Sequence, residues 1–151
     1  MEDCKMAIEL KLDQIAQELL EVWNAHEMDK ILPFYTDNCL YEEDAIGVAT
    51  RGKAQLKSYI SSLFNDFPDF NLVKRNVFST GSQLAWEGTW TGTFTHSSMP
   101  GMPPATGKQV SIPFAAVIET RDGKASRHSC YWDLMAFLQQ AGLMPAAANK
   151  Q

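Results

Sequence analysis

Two segments in the first half of the chain carry apolar residues at helical spacing. The first covers residues 6–26, and the second follows Gly52 and is expected to end at Pro68. Apolar positions that recur three and four residues apart predict amphipathic helices that pack one face against a core. Between these helices, Asp29 is suited to cap a short helix over DKILPFYT, and residues 39–44 follow as a short strand.

Beyond Pro68 the pattern changes to that of β-strands. Residues favoured in sheets dominate four runs separated by turn sequences, at residues 70–79, 83–96, 108–120 and 124–132. Gly88 and Gly92 interrupt the second run, which is typical of a bulge or a sharp bend. A last amphipathic segment, residues 134–141, ends at Gly142, as expected of a helix C-terminus.

Helices followed by long strands predict an α+β fold, in which the helices cover one face of a curved, mainly antiparallel sheet. The chain has 151 residues, of which 45% are hydrophobic, and this suits a single core. We therefore expect one domain over residues 1–151, with a disordered tail from about residue 145.

Composition argues against several classes of function. The net charge is −5 and the 13 Lys and Arg residues are scattered, whereas a nucleic-acid-binding surface needs clustered positive charge. No apolar run approaches the roughly 18 residues that span a membrane, and the N-terminus does not resemble a secretion signal. Cys4, Cys39 and Cys130 form no C-x-x-C pair, so we expect a cytoplasmic protein with reduced thiols and no zinc site.

Three consecutive carboxylates stand in YEEDAIG, residues 41–47. Strand alternation directs Glu42 and Asp44 to one side and Glu43 to the other. One interpretation of this segment is a solvated loop. The other is that one of its carboxylates lies at a pocket, where apolar neighbours raise its pKa and suit it to act as a general base.

The segment 127–133 carries a second set of candidate side chains. Alternation assigns them to two faces, one with Arg127, Ser129, Tyr131 and Asp133, and the other with His128, Cys130 and Trp132. Asp133 either caps the terminal helix or, if it is buried beside aromatic residues, transfers protons. The role of His128 stays open, because a buried histidine usually has a structural hydrogen-bond partner.

Trp86, Trp90 and Phe94 share one face of a predicted strand with His96. Aromatic residues on a buried sheet face form either core or the wall of a ligand pocket. The segment GMPPATGK has the wrong glycine spacing for a P-loop, and the motifs H-E-x-x-H, G-x-S-x-G and G-x-G-x-x-G are missing from the sequence. The sequence therefore indicates no cofactor and no metal.

The order of the elements and five sequence pieces together resemble the SnoaL-like polyketide cyclase, or ester cyclase, family of the NTF2-like superfamily. The pieces are WNAHEMDKILPFYTDNCLYEED at residues 23–44, FPDF at 67–70, WEGTWTGTF at 86–94, PPATGK at 103–108 and YWDLMAFLQQAG at 131–142. The resemblance implies an NTF2-like (cystatin-like) cone with a cavity between helices and sheet. It also implies frequent dimers and acid–base chemistry without a cofactor.

By position, the resemblance implies that Asp133 is the acid/base aspartate of the cyclases. The residues EDAIG at 43–47 are similar to the turn that carries the general base of ketosteroid isomerases, which implies that role for Asp44. The tyrosine that the isomerases have on the first helix falls near Leu19. Trp90 and Ser129 stand where the cyclases often have His and Trp, so the resemblance does not identify the substrate.

We therefore expect a cofactor-free cyclase or isomerase acting on a small apolar carbonyl compound, with Asp133, Asp44 and His128 as catalytic candidates. The expected substrate-binding side chains are aromatic apart from one serine: Trp23, Tyr41, Tyr59, Trp86, Trp90, Phe114, Ser129 and Tyr131. One alternative is a non-catalytic module that binds a small molecule. Another is an epoxide hydrolase, which would need Arg127 in the cavity.

Residues 109–119 carry apolar side chains on both alternating faces of their middle portion. The helices can cover only one face of the sheet, so the other face needs a different cover. We therefore expect a homodimer that forms through the outer face of the sheet.

Overall fold

The computed structural model describes residues 1–145, with the backbone alone at residues 3–10. The tail expected from about residue 145 lies outside the described residues, apart from Pro145. The helices of the described part are α1 (Glu2–Asn24), α2 (Met28–Ile31), α3 (Gly52–Asp66) and α4 (Leu134–Gln140). Its strands are β1 (Tyr35–Glu43), β2 (Val48–Arg51), β3 (Asn71–Thr80), β4 (Gln83–Thr93), β5 (Gln109–Arg121) and β6 (Lys124–Trp132).

The strands form one sheet in the order β2-β1-β6-β5-β4-β3. Neighbouring strands are antiparallel except β1 and β6, which run parallel. The sheet is curved and open, and α1, α3 and α4 pack on its inner face against β3, β1 and β5. The expected α+β architecture is therefore confirmed. Among the residues that the structure describes, no helix is both long enough and apolar enough to cross a membrane.

The first half of the chain differs locally from the expectation. The first helix begins at Glu2, and Asp29 does not cap the short helix, because Glu27 is its N-cap residue and Asp29 lies in the first turn. The expected strand over residues 39–44 begins earlier, at Tyr35, and ends one residue earlier, before Asp44.

A tight turn explains where β1 ends. Asp44 opens a single 3₁₀ turn, which Gly47 closes with a φ of 65°. This left-handed conformation is open to glycine at little steric cost. The turn returns the chain into β2, a four-residue strand that the sequence pattern did not reveal because it is too short to show a period.

The later strands follow their expected bounds closely, and their alternation is regular. Each lies within one residue of the prediction, except that β4 ends at Thr93. The even-numbered residues of β4 and β5 face the helices, and those with large side chains are buried: Leu84, Trp86, Trp90, Val110, Ile112, Phe114 and Ile118. The opposite face of β5 is largely exposed.

An irregularity occurs at Gly88, but the bulge itself lies on the neighbouring strand. Arg75 of β3 is the extra residue, because the pairing of β3 with β4 skips a position between Lys74 and Asn76. The register of β4 with β5 is unbroken, so the alternation along β4 is not switched. A β-carbon on Gly88 would overlap the carbonyl oxygen of Val73. Glycine therefore lets the bulged strand approach β4 closely.

Replacing Gly88 by Ala is expected to lower the free energy of unfolding by more than about 2 kcal/mol, because β3 must shift to admit the methyl group. Gly123→Ala is the matched control. Its φ is 75°, but its β-carbon would meet no atom within 4 Å, so only a backbone strain of about 1 kcal/mol is expected. Denaturant unfolding measures both, and equal losses would contradict the steric explanation.

Candidate functional site

A cavity of about 60 Å³ lies between the helices and the inner face of the sheet. Its wall consists mainly of aromatic and aliphatic side chains from α1, α3, α4 and five of the six strands. Among the described residues that line it, Glu43 is the only carboxylate, and no Lys or Arg is present. The cavity is therefore an apolar space with a single acidic group.

The carboxyl group of Glu43 is buried, with 6% of the residue exposed. The Tyr41 hydroxyl donates a hydrogen bond to Oε1 at 2.5 Å, and the Trp132 indole donates to Oε2 at 2.8 Å. Burial raises the pKa of Glu43, and these hydrogen bonds offset only part of that effect. The structure thus holds a carboxyl group with a raised pKa in a fixed orientation inside an apolar cavity.

His128 lies on the neighbouring strand opposite Tyr41 and lines the same cavity as Glu43. Its Nδ1 is 2.9 Å from the Tyr35 hydroxyl, and its ring meets the Tyr41 ring at 4.9 Å between centroids. Burial lowers the pKa of His128 to about 3, so the imidazole is neutral near pH 7. The hydrogen bond at Nδ1 sets the ring orientation and leaves Nε2 available to the cavity.

A wider cleft of about 840 Å³ lies outside the cavity. The cavity and the cleft share five lining residues, namely Ile46, Tyr59, Met99, Met102 and Phe137. A molecule in the cleft therefore lies next to the entrance of the cavity.

The loop that carries Met99 is held by a buried carboxylate. Asp66, at the end of α3, is fully buried and accepts hydrogen bonds from the Ser98 hydroxyl at 2.6 Å and from the Ser98 backbone N–H at 2.8 Å. It also accepts from the backbone N–H of Met99 at 3.2 Å. These bonds satisfy the buried carboxylate and hold Met99 at the entrance.

Most of the side chains expected at the site line the cavity. They come from α1, α3 and four strands and are Trp23, Tyr41, Tyr59, Trp86, Trp90, Phe114 and His128. The structure therefore brings together residues that are more than 100 positions apart in the sequence.

Asp133 and Asp44 lie outside the cavity. Asp133 is exposed, and its Oδ1 accepts the Ala136 backbone N–H at 3.0 Å, so it caps α4. Of the two interpretations of Asp133, helix capping therefore agrees with its contacts. Asp44 is exposed in the 3₁₀ turn after β1, because the strand ends before it. Neither carboxylate is placed to reach a molecule in the cavity.

Ser129, Tyr131 and Arg127 lie on the outer face of the sheet. Ser129 donates to Glu42 at 2.6 Å, and Tyr131 is 40% exposed. Arg127 forms ion pairs with Glu42 at 3.2 Å and with Glu119 at 3.3 Å. The epoxide hydrolase alternative therefore lacks the arginine that it requires in the cavity.

Sequence reasoning divided β1 and β6 into the correct faces but selected residues from both faces of β6, His128 on the inner one and Ser129 and Tyr131 on the outer one. Glu43 was assigned to the side opposite Glu42, and Cys130 and Trp132 to the side of His128, yet none of the three was selected. The available signal was alternation, because Cys130 and Trp132 share a face of β6 with His128, and Glu43 shares a face of β1 with Tyr41. Within the described residues, no cluster of His, Cys, Asp and Glu is suited to hold a metal ion.

A family model described as SnoaL-like polyketide cyclase matches residues 13–141. No curated protein sequence matches the chain. The match covers all of the strands and all of the residues of the cavity.

Several solved structures share the fold. A structure described as a SnoaL-like polyketide cyclase from Jannaschia sp. CCS1 is 23% identical, with a TM-score of 0.79 over 91% of this chain and 96% of that chain. A protein with a ketosteroid isomerase-like fold from Catenulispora acidiphila DSM 44928, in complex with trimethylamine, is 17% identical, with a TM-score of 0.72 over 91% and 96%. TerC, co-crystallised with polyporic acid, is also 17% identical, with a TM-score of 0.72 over 87% and 98%.

The neutral state of His128 predicts a pH dependence of stability. In the unfolded chain His128 takes up a proton below about pH 6.5, whereas the folded protein resists this until a pH of about 3. The stability that His128 contributes is thus present above pH 6.5 and decreases as the pH falls. Between pH 7 and pH 5 the wild type is expected to lose about 2 kcal/mol relative to His128→Gln. Denaturant unfolding at both pH values measures this, and parallel losses would contradict a buried neutral imidazole.

Proposed function

Because the chain belongs to the SnoaL-like polyketide cyclase family, we propose that it moves a proton on a small, neutral carbonyl compound held in the inner cavity. The observation that carries this proposal is the buried carboxyl group of Glu43, the only acidic group among the described residues of the cavity wall. Glu43 thus takes the acid–base role that the sequence pattern assigned to Asp133 and Asp44.

In the proposed reaction, a carboxylate oxygen of Glu43 removes a proton from the carbon next to the carbonyl group. The C–H bond breaks, an O–H bond forms on the carboxyl group, and the electron pair moves onto the carbonyl oxygen to give an enolate. If the substrate has a C=C bond between its β- and γ-carbons, the enolate is a dienolate. The carboxylic acid then returns the proton to the γ-carbon, the C=O bond re-forms and the C=C bond moves to the α,β position, which isomerises the substrate. Alternatively, the enolate carbon attacks a second carbonyl group of the same molecule, and the acid protonates the new alkoxide, which closes a ring.

The raised pKa of Glu43 supports this role. A general acid–base group works best when its pKa is near the working pH, and burial moves a carboxyl group in that direction. The hydrogen bonds from Tyr41 and Trp132 hold the carboxyl group in one orientation, which positions it without using the substrate's binding energy.

His128 is proposed to stabilise the enolate. Burial raises the pKa of Tyr35 well above its ordinary value, so its hydroxyl keeps its proton and can donate it to His128 Nδ1. The imidazole then carries its own proton on Nε2, the ring nitrogen left for the cavity. A neutral donor in a dry site stabilises developing negative charge without reorganisation of solvent.

A second candidate is a non-catalytic module that binds a small molecule. It is favoured by the presence of only one carboxylate among the described residues of the cavity wall and by the solvent exposure of Asp133 and Asp44. TerC, which shares the fold, was co-crystallised with the small molecule polyporic acid.

A cytoplasmic location and the lack of nucleic-acid binding remain predictions from composition.

Glu43→Gln is expected to lower proton exchange by about 10²- to 10⁴-fold, because the amide cannot accept the proton. The measurement is the exchange of the acidic C–H protons of 2-tetralone, a small neutral ketone, in D₂O, followed by NMR. Asp133→Asn and Asp44→Asn are the controls and are expected to exchange at the wild-type rate. Undiminished exchange by Glu43→Gln would refute the assignment, and wild-type exchange no faster than buffer would favour the binding module.

We also propose a homodimer that buries the outer face of the sheet. The middle of this face carries Pro113, Ala115 and Tyr131, all of which are exposed in the single chain. The helices pack on the other face, so the described part of the chain supplies no cover here. A twofold partner is the commonest way to cover such a surface.

Sedimentation equilibrium at micromolar concentration is expected to give twice the chain mass of 16.9 kDa. Ala115→Arg places an unpaired charge in the proposed interface and is expected to shift the protein to the monomer mass. Ala54→Arg, the same change at an exposed position of α3, serves as the control and is expected to stay dimeric. A wild-type mass of 16.9 kDa would rule out the dimer.

A further inference from the structure

We propose that the indole N–H of Trp86 is a ligand-binding donor, and that the cavity takes a flat, neutral molecule with two carbonyl-type oxygens. One oxygen accepts from Trp86, and the other lies at the Glu43 end of the cavity. The inference deepens the proposed function and rests on it only for the role of Glu43.

Trp86 has a polar atom with no partner. The residue is 2% exposed and lines the cavity, and its Nε1 makes no hydrogen bond within the described part of the chain. Its nearest neighbours across the sheet are Val77 and Ala116, and the Phe114 ring meets its ring edge at 6.1 Å between centroids. These neighbours offer no acceptor. A buried donor without an acceptor is unfavourable, so an acceptor on a ligand is stabilised there.

The register of the sheet aligns Trp86 with Glu43. Trp86 pairs with Ala116, Ala116 with Cys130, and Cys130 with Glu43, so the four residues form one row across β4, β5, β6 and β1. All four are buried. With neighbouring strands about 4.8 Å apart, the α-carbons at the two ends of the row are separated by roughly 14 Å.

The residues between the two ends are small. Ala116 and Cys130 form the middle of the row, whereas a long side chain stands at each end. Both long side chains line the same cavity. A molecule lying along this row therefore lies between the Trp86 side chain at one end and the Glu43 side chain at the other.

The other indole donors near the cavity differ from that of Trp86. Trp132 donates to Glu43. The indole nitrogen of Trp90 is not among the buried polar atoms without a partner in the described part of the chain. That of Trp23 is, but its indole lies close enough to the Tyr35 hydroxyl to lower the pKa of Tyr35, against the larger effect of burial. Trp86 is thus the buried donor without a partner whose cross-strand neighbours are apolar. Because no Lys or Arg is found in the described cavity wall, an anionic ligand would be poorly stabilised, and the surrounding rings favour a flat shape.

The test compares two ligands of similar shape, 1,4-diacetylbenzene and 1,4-diisopropenylbenzene, in which both C=O groups are replaced by C=CH₂. Isothermal titration calorimetry on the wild type is expected to show at least fivefold tighter binding of the diketone, because about fivefold corresponds to one neutral hydrogen bond. Trp86→Phe, which keeps an aromatic ring and removes the N–H, is expected to reduce this preference by about fivefold. Tyr131→Phe, which removes a hydroxyl donor from the outer face of the same sheet, is the control and is expected to keep the preference.

A wild type without a preference for the diketone, or a Trp86→Phe variant that retains it in full, would overturn the inference. Should Trp86→Phe fail to fold, the indole N–H resonance of wild-type Trp86 decides: it should move downfield with the diketone only, and an equal shift with both ligands counts against the inference. Both measurements report binding and not turnover. They therefore stand even if Glu43→Gln exchanges protons at the wild-type rate, which would refute the catalytic proposal alone.

Discussion

The parallel pairing of β1 with β6 is the constraint on which the cavity depends. This register places Tyr41 opposite His128 and Glu43 opposite Cys130, with all four side chains directed inward. Because side chains alternate strictly along a strand, a slip of one residue would exchange this set for the polar residues of the outer face. The inward position of Glu43, on which the proposed chemistry depends, thus follows from this pairing. The contacts of Glu42 with Arg127 and Ser129 on the outer face follow from it as well.

The burial of Glu43 opposes stability and, in the proposed reaction, provides the raised pKa of the general base. An isolated carboxylate in an apolar cavity is strongly unfavourable, and two hydrogen bonds, from Tyr41 and Trp132, offset part of the cost. The remainder is expressed as a raised pKa. Neutral His128 follows the same logic, since burial lowers the pKa of a base as it raises that of an acid. Two titratable groups thus line the same cavity with their pKa values shifted in opposite directions, an arrangement typical of acid–base sites.

The entrance of the cavity depends on a second buried carboxylate. Asp66 holds the loop around Ser98 and Met99 by three hydrogen bonds and has no place in the cavity wall itself. Its contribution is to position a flexible apolar side chain between the cavity and the outer cleft. The two acidic residues differ in their hydrogen-bond partners. Glu43 accepts from side chains of the sheet and lines the cavity, whereas Asp66 accepts mainly from the loop of Ser98 and Met99.

The sequence by itself determined the α+β class, the bounds of α3, β3, β5 and β6 to within one residue, and the alternating faces of the strands that it predicted, because hydrophobic periodicity is a local property. It also indicated the family and most of the aromatic wall. The tertiary structure alone decided which face of β1 and β6 is the inner one, since a strand with mixed residues on both faces carries no local signal of where the helices will pack. For that reason Asp133, which stands at the position of the acid/base aspartate of the cyclases, was selected from the sequence. Glu43, whose neighbours Tyr41 and Trp132 lie far apart along the chain, was recognisable only once the sheet had brought them together.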